Sequence, residues 1–252
     1  MKPSNIVLWC FPLVVIAAQL LPTTYAFGMG IAFTAFGLSK RFRVLLLFGL
    51  TIFGYLFWYF TAQYLAVSIH NAPLLIVLNR LGLIGYIILF AIWAWVQPCV
   101  GYLRFGSMKE TLKAPFTWWG NQERVWRFVL IVCACWMIPT IVFAFLNGNI
   151  LTFMPYALLF SIMNPILEGV LWRGFILGRI VTYIGEKQGL ILSSIAFGVY
   201  HLSLGFPIWV CLLFAMGGFF MGGVAIKSKG LFAPIVMHVS ANMAMVSLGI
   251  IF

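Results

Sequence analysis

The chain reads as an all-α, polytopic transmembrane helical bundle with about eight spans, and three observations carry that reading. Of its 252 residues, 64% are apolar or aromatic and only 8% are charged, against about 25% charged in soluble domains. Runs such as Val44 to Val67 exceed the ~20 apolar residues that cross a ~30 Å hydrocarbon layer. Most of the 15 Lys and Arg sit in connections between such runs. In a soluble domain a formal charge of +11 would point to nucleic acid. Here it is the loop bias that orients membrane helices, so the bilayer is the expected partner and nucleic acid is not.

The first run, Ile6 to Leu38, is too long for one perpendicular helix and is interrupted by Pro22. It is either one long tilted span or a kinked pair of shorter segments. Lys2, the apolar stretch and the ending Thr24-Tyr25-Ala26 have the outline of a signal peptide. Ala26 leads straight into more apolar sequence, so the segment is assigned to the membrane domain. After the basic cluster Lys40, Arg41 and Arg43 come spans at about 44–68 and 74–97, joined by His70-Asn71-Ala72-Pro73, whose proline marks a turn. Arg80 lies about one and a half turns inside the second span, close enough to snorkel to the interface.

Residues 98–127 form the longest polar connection, with Arg104, Lys109, Lys113, Arg124 and Arg127. Trp118, Trp119 and Trp126 are its interfacial anchors, and the segment is expected to lie on the membrane surface. Further spans are expected at about 128–147, 150–178, 188–204, 207–226 and 231–252. Basic residues gather at 40–43, at 98–127, at Arg179 with Lys187, and at Lys227 with Lys229. The intervening connections, 69–73, 147–149 and 204–207, carry none, which puts the basic connections in the cytoplasm. Gly218 and Gly222 make a GxxxG spacing, a cue for close helix approach. Cys10, Cys99, Cys133, Cys135 and Cys211 lie mostly in apolar runs without a CxxC pair, so neither a disulfide framework nor a zinc ribbon is implied.

The chain has four acids, Glu110, Glu123, Glu168 and Glu186, and no Asp. Glu168, with His201, His238 and Asn242, falls inside apolar runs, where an ionisable group costs at least ~2.5–3.5 kcal/mol and calls for a pairing or a function. Counting 1.5 Å per residue from the basic interfaces places Glu168 ~16 Å deep, His201 and the Asn242 side chain ~20 Å, and His238 ~14 Å. The four therefore share one depth band on three helices. His238 and Asn242 are i and i+4, on one helix face, and so are Phe197 and His201.

Carboxylate, imidazole and water make a general-base unit. Glu168, alone or with His201, would take a proton from water as it attacks a carbonyl, while His238 and the Asn242 amide stabilise the oxyanion. A membrane His can also be a structural hydrogen-bond donor between helices, and a membrane Glu a proton-relay or transport site.

At this point the sequence resembles the CPBP intramembrane proteases, the type II CAAX prenyl endopeptidases and their bacterial relatives. That family carries EExxxR, FxxxH and HxxxN on separate helices. Here the motifs read Glu168-Gly169-Val170-Leu171-Trp172-Arg173, Phe197-Gly198-Val199-Tyr200-His201 and His238-Val239-Ser240-Ala241-Asn242, in the same order. The resemblance covers about 150–245 and implies a catalytic helical core at 150–252, with 1–149 as N-terminal transmembrane helices without a motif, all in one membrane domain. It implies that Glu168 and His201 activate water and that His238 and Asn242 hold the oxyanion. Family members are often called metalloproteases, and zinc held by Glu168, His201 and His238 is the alternative. No HExxH helix is present, so no cofactor is required by this reading.

The family's second Glu is Gly169 here. A carboxylate at 169 would pair with Arg173 at i+4, whereas Glu168 lies five positions away, ~140° around an α-helix. Arg173 then either snorkels to the interface or binds an anionic group of the substrate, such as a peptide C-terminal carboxylate. The function expected is an intramembrane endopeptidase of the cell membrane acting on a membrane-embedded or membrane-docked peptide. By the resemblance, the substrate is a prenylated CAAX protein where the host prenylates, or a peptide precursor in bacteria. The alternative is a non-catalytic membrane peptide-binding protein or scaffold with a degenerate protease site. A proton-coupled transporter ranks last, because neither a second buried acid nor an internal repeat is visible.

Overall fold

A computed structural model describes residues 6–39, 42–113, 122–147 and 154–251. Lys40, Arg41, Trp118 and Trp119 lie outside the described residues. Helices dominate: α1 (Phe11–Leu20), α2 (Thr23–Gly37), α3 (Val44–Ser68), α4 (Ala72–Asn79), α5 (Gly82–Val96), α6 (Val125–Asn147), α7 (Met154–Glu168), α8 (Leu177–Tyr200), α9 (Ile208–Ser228) and α10 (Phe232–Ser247). A π-helical segment, Gly169–Ile176, joins α7 to α8, and a 3₁₀ turn, His201–Leu204, follows α8. Four apolar helical stretches, Val44–Ser68, Ala72–Val96, Val125–Val142 and Ile208–Ser228, are long enough to cross a membrane.

The open question of the first run resolves as a pair. Proline has no N–H to continue the ladder, and at Pro22 the chain turns extended before α2 begins. The Asn71 side chain accepts from the Leu74 N–H at 2.9 Å and caps α4, so the expected turn before this span is present. The span is itself broken at Arg80 and Leu81, where i→i+3 bonds replace the α ladder. Within α8, Gly185 (φ 81°) interrupts the helix between its buried arms, a conformation glycine adopts without Cβ strain.

Two apolar clusters hold the bundle. One unites α1, α3, α5, the π segment and α8 around Phe11, Phe48, Tyr86, Phe90, Trp172 and Tyr200. The other gathers Tyr102, Leu112, Val129, Leu177, Val224 and Met237 from the long connection, α6, α8, α9 and α10. The GxxxG cue holds: a Cβ on Gly218 would come within 2.9 Å of Phe197, and one on Gly222 within 2.7 Å of Leu190. Gly198 answers from α8, where an added Cβ would lie 2.6 Å from that of Ala215.

The 98–127 connection has structure of its own. It contains a two-residue antiparallel ladder, Thr111 opposite Arg124 and Leu112 opposite Glu123. Its first part is tied to the turn before α10: Ser107 N–H donates to Ser228 O, Leu231 N–H to Arg104 O and Phe232 N–H to Phe105 O. Trp126 stays exposed, as an interfacial anchor should. Arg179, grouped by sequence with a basic connection, is buried instead. Its guanidinium carbon lies 3.8 Å from the Trp93 ring centroid, and Nη2 donates to Gln97 O at 2.6 Å. The hydrogen bond and the aromatic face compensate a charge removed from water.

Candidate active site

Glu110 and Glu186 are exposed and Glu123 is half-buried, where it pairs with Arg127 at 3.6 Å, so Glu168 is the one fully buried acid. It ends α7, one residue before the π segment. Its Oε2 lies 3.8 Å from His238 Nε2 on α10, and its Oε1 lies 3.9 Å from Arg80 Nη1 at the α4–α5 break. Asn164, one turn earlier on α7, faces the carboxylate from the same helix. A carboxylate in hydrocarbon needs such partners, and they arrive from three separate elements.

The structure corrects the reading of Arg80. It does not snorkel: its side chain is 11% exposed and its guanidinium carbon sits 5.3 Å from the Phe160 ring centroid, aimed at Glu168. The inward direction of this side chain is invisible to hydropathy.

Arg173 is also buried, at 3% exposure. Of its two sequence alternatives, snorkelling is the one that fails. Its guanidinium carbon stands 4.3 Å from the Phe197 ring centroid, and Nη2 approaches the Met221 sulfur at 3.2 Å. The expectation that Glu168 and Arg173 diverge by ~140° assumes an α-helix. The intervening residues are π-helical, with Leu177 N–H bonded back to Trp172 O. An i→i+5 turn brings residues five apart back to the same side, and Arg173 accordingly interacts electrostatically with Glu168. Pro165 lacks a donor one turn upstream, and Gly169 and Gly174 lie within the widened segment.

His201 ends α8. Its Nδ1 lies 2.8 Å from Phe197 O, so Nδ1–H donates and Nε2 keeps its lone pair. The ring stacks on Phe214 with centroids 4.1 Å apart. Among the described residues no ion pair within 4.0 Å joins His201 to Glu168; the carboxylate meets His238 directly. His201 and His238 are close enough to interact electrostatically. Asn242, one turn beyond His238, is buried with its Nδ2 unpaired, and His238 Nδ1 is unpaired as well.

Phe197 is the hub of the site. Its ring contacts Trp172 (5.5 Å between centroids), His201 (4.8 Å) and His238 (6.5 Å), besides the Arg173 guanidinium. Gly218 leaves the room it occupies. Among the described residues, no three His, Cys, Asp or Glu form a metal-holding cluster.

Asn164, Arg80 and Gln19 were not assigned to the site from sequence. The i, i+4 spacing of Asn164 and Glu168 is a usable signal; the other two are tertiary. Gln19 on α1 donates from Nε2 to Val199 O at 3.1 Å and accepts from Ser203 N–H at 2.7 Å, bracketing His201 from outside.

The fold and site define a polytopic helical membrane protein with a buried carboxylate–imidazole pair. The model of the Rce1-like family, described as type II CAAX prenyl endopeptidase Rce1-like, matches residues 150–244, a stretch that holds all three motifs. The resemblance carried by those motifs is borne out over that stretch, and the matched family is one of CAAX proteases, which supports a membrane protease at the level of the family. No curated protein and no solved structure matches the chain.

Proposed function

We propose that the protein is an intramembrane endopeptidase of the cell membrane, hydrolysing a peptide bond of a membrane-embedded or membrane-docked protein or peptide. The observation that carries this reading is the buried approach of Glu168 to His238 at 3.8 Å, with Asn242 one turn away. That separation is longer than a hydrogen bond, and a hydrolytic water beside the pair reaches both atoms. Glu168 with His201 takes the proton as water adds to the scissile carbonyl; the His201 tautomer, with Nε2 unprotonated, suits a base. His238 and the free Asn242 amide donate to the oxyanion. The proton then passes to the leaving amine. Arg173 offers its unpaired Nη1 to an anionic group of the substrate.

Purified protein incubated in detergent with a membrane-peptide library, with and without chelator, and read by mass spectrometry tests the activity and any part played by zinc on Glu168, His201 and His238. Wild type is expected to cut, while Glu168→Ala, His201→Ala and His238→Ala insert but do not. Full cleavage by all three variants would end this reading.

A second reading, a peptide-holding protein that does not cut, is favoured by Gly169 and by Arg80 beside Glu168, which engages the carboxylate in a contact within the protein. Wild type that binds library peptides without cleaving them supports it.

A further inference from the structure

We propose that Arg80 is the positioning residue for Glu168, a charge partner supplied from outside the family-matched stretch. Its Nη1 is 3.9 Å from Glu168 Oε1, with the carboxylate side chain 1% exposed. Arg80 belongs to the break between α4 and α5, far upstream of residues 150–244. Among the described residues its Nε and Nη1 are buried without a hydrogen-bond partner, and its guanidinium carbon lies over the Phe160 ring.

The family motif sets two acids against one Arg, whereas here one carboxylate faces two guanidiniums, that of buried Arg173 and that of Arg80, 11% exposed. Arg173 rests on Phe197 and the Met221 sulfur, and among the described residues Arg80 is the Arg within ion-pair distance of Glu168. The groups facing the carboxylate are Asn164 from its own helix, Arg173 from the π segment, His238 from α10 and Arg80 from the α4–α5 break. Tyr200 of α8 interacts electrostatically with both Glu168 and Arg80. Arg80 holds Oε1, leaving Oε2 turned to His238. The catalytic meaning of this arrangement rests on the reading of Glu168 as the reactive base, but the pairing itself does not.

A double-mutant cycle on the full chain in detergent micelles, read by thermal unfolding through tryptophan fluorescence, tests the pairing without any substrate. Arg80→Met and Glu168→Gln each strand a buried charge and are expected to lower the midpoint by on the order of 5–10 °C. The Arg80→Met/Glu168→Gln double variant is expected to recover most of the loss, and Arg80→Lys to keep most of the wild-type midpoint. A role in packing alone would make the two losses add, and additive losses overturn the proposal. If Arg80→Met does not fold, a folded double variant supports the pairing, and a double variant that also fails to fold overturns it. A wild type that cuts no peptide refutes the hydrolase reading and leaves the outcome of the cycle standing.

Discussion

Glu168 and His238 face each other at 3.8 Å across the contact between α7 and α10, although 70 residues separate them in the chain. Both side chains are buried, and the Asn242 amide follows one turn later on the same face of α10. If this is the oxyanion side of a hydrolytic site, Asn242→Ala should lower kcat by about 10²–10³-fold with little change in KM, as loss of one preorganised donor does. Steady-state cleavage of a peptide found in the library screen measures it. An unchanged kcat would remove Asn242 from the mechanism.

The tautomer of His201 is set by the bond to Phe197 O. His201→Gln keeps a polar side chain of similar reach and loses the base, so cleavage should fall by about 10²–10⁴-fold while the protein unfolds near the wild-type temperature. Phe197→Ala should behave differently. Removing the ring that Trp172, Arg173, His201 and His238 share should cost about 3–5 kcal/mol of stability and activity together.

Gln19 links the N-terminal helices to the site by bonds on both sides of His201. Gln19→Ala leaves Val199 O and Ser203 N–H without that partner, and should destabilise by about 1–3 kcal/mol. Gln19→Glu retains the acceptor for Ser203 and loses the donor for Val199, so it should fall between. Thermal unfolding ranks the three proteins, and equal midpoints would show the bracket to be energetically idle.

Position 169 can be refilled. A Cβ there meets Ile235 Cγ1 at 3.0 Å, so Gly169→Glu alone is overpacked, at a cost of about 1–3 kcal/mol. Combined with Ile235→Ala, the new carboxylate has room and reaches Arg173 within one turn. The double variant should cleave faster than wild type, and an endpoint assay with the same peptide shows whether it does. A slower double variant would mean that the chain has adapted to Gly169 through Arg80.

The membrane class, the helical bundle and the three motif helices were legible in the order of residues, because hydrocarbon imposes long apolar runs and makes every polar residue inside them conspicuous. Glu168, His201, His238 and Asn242 stood out for that reason, and burial of all four agrees with it. Periodicity could not reveal the π segment, since an assumed α turn sends Glu168 and Arg173 apart where the widened turn returns them to one side. Hydropathy could not orient Arg80 or Arg179 either: a guanidinium near a span end is equally compatible with water and with a buried partner. That choice was made by Glu168 for Arg80, and by Trp93 and the Gln97 carbonyl for Arg179. Local sequence sets which groups are costly in the bilayer; only packing between distant helices decides which of them compensate one another, because compensation depends on distances of a few ångströms between residues far apart in the chain.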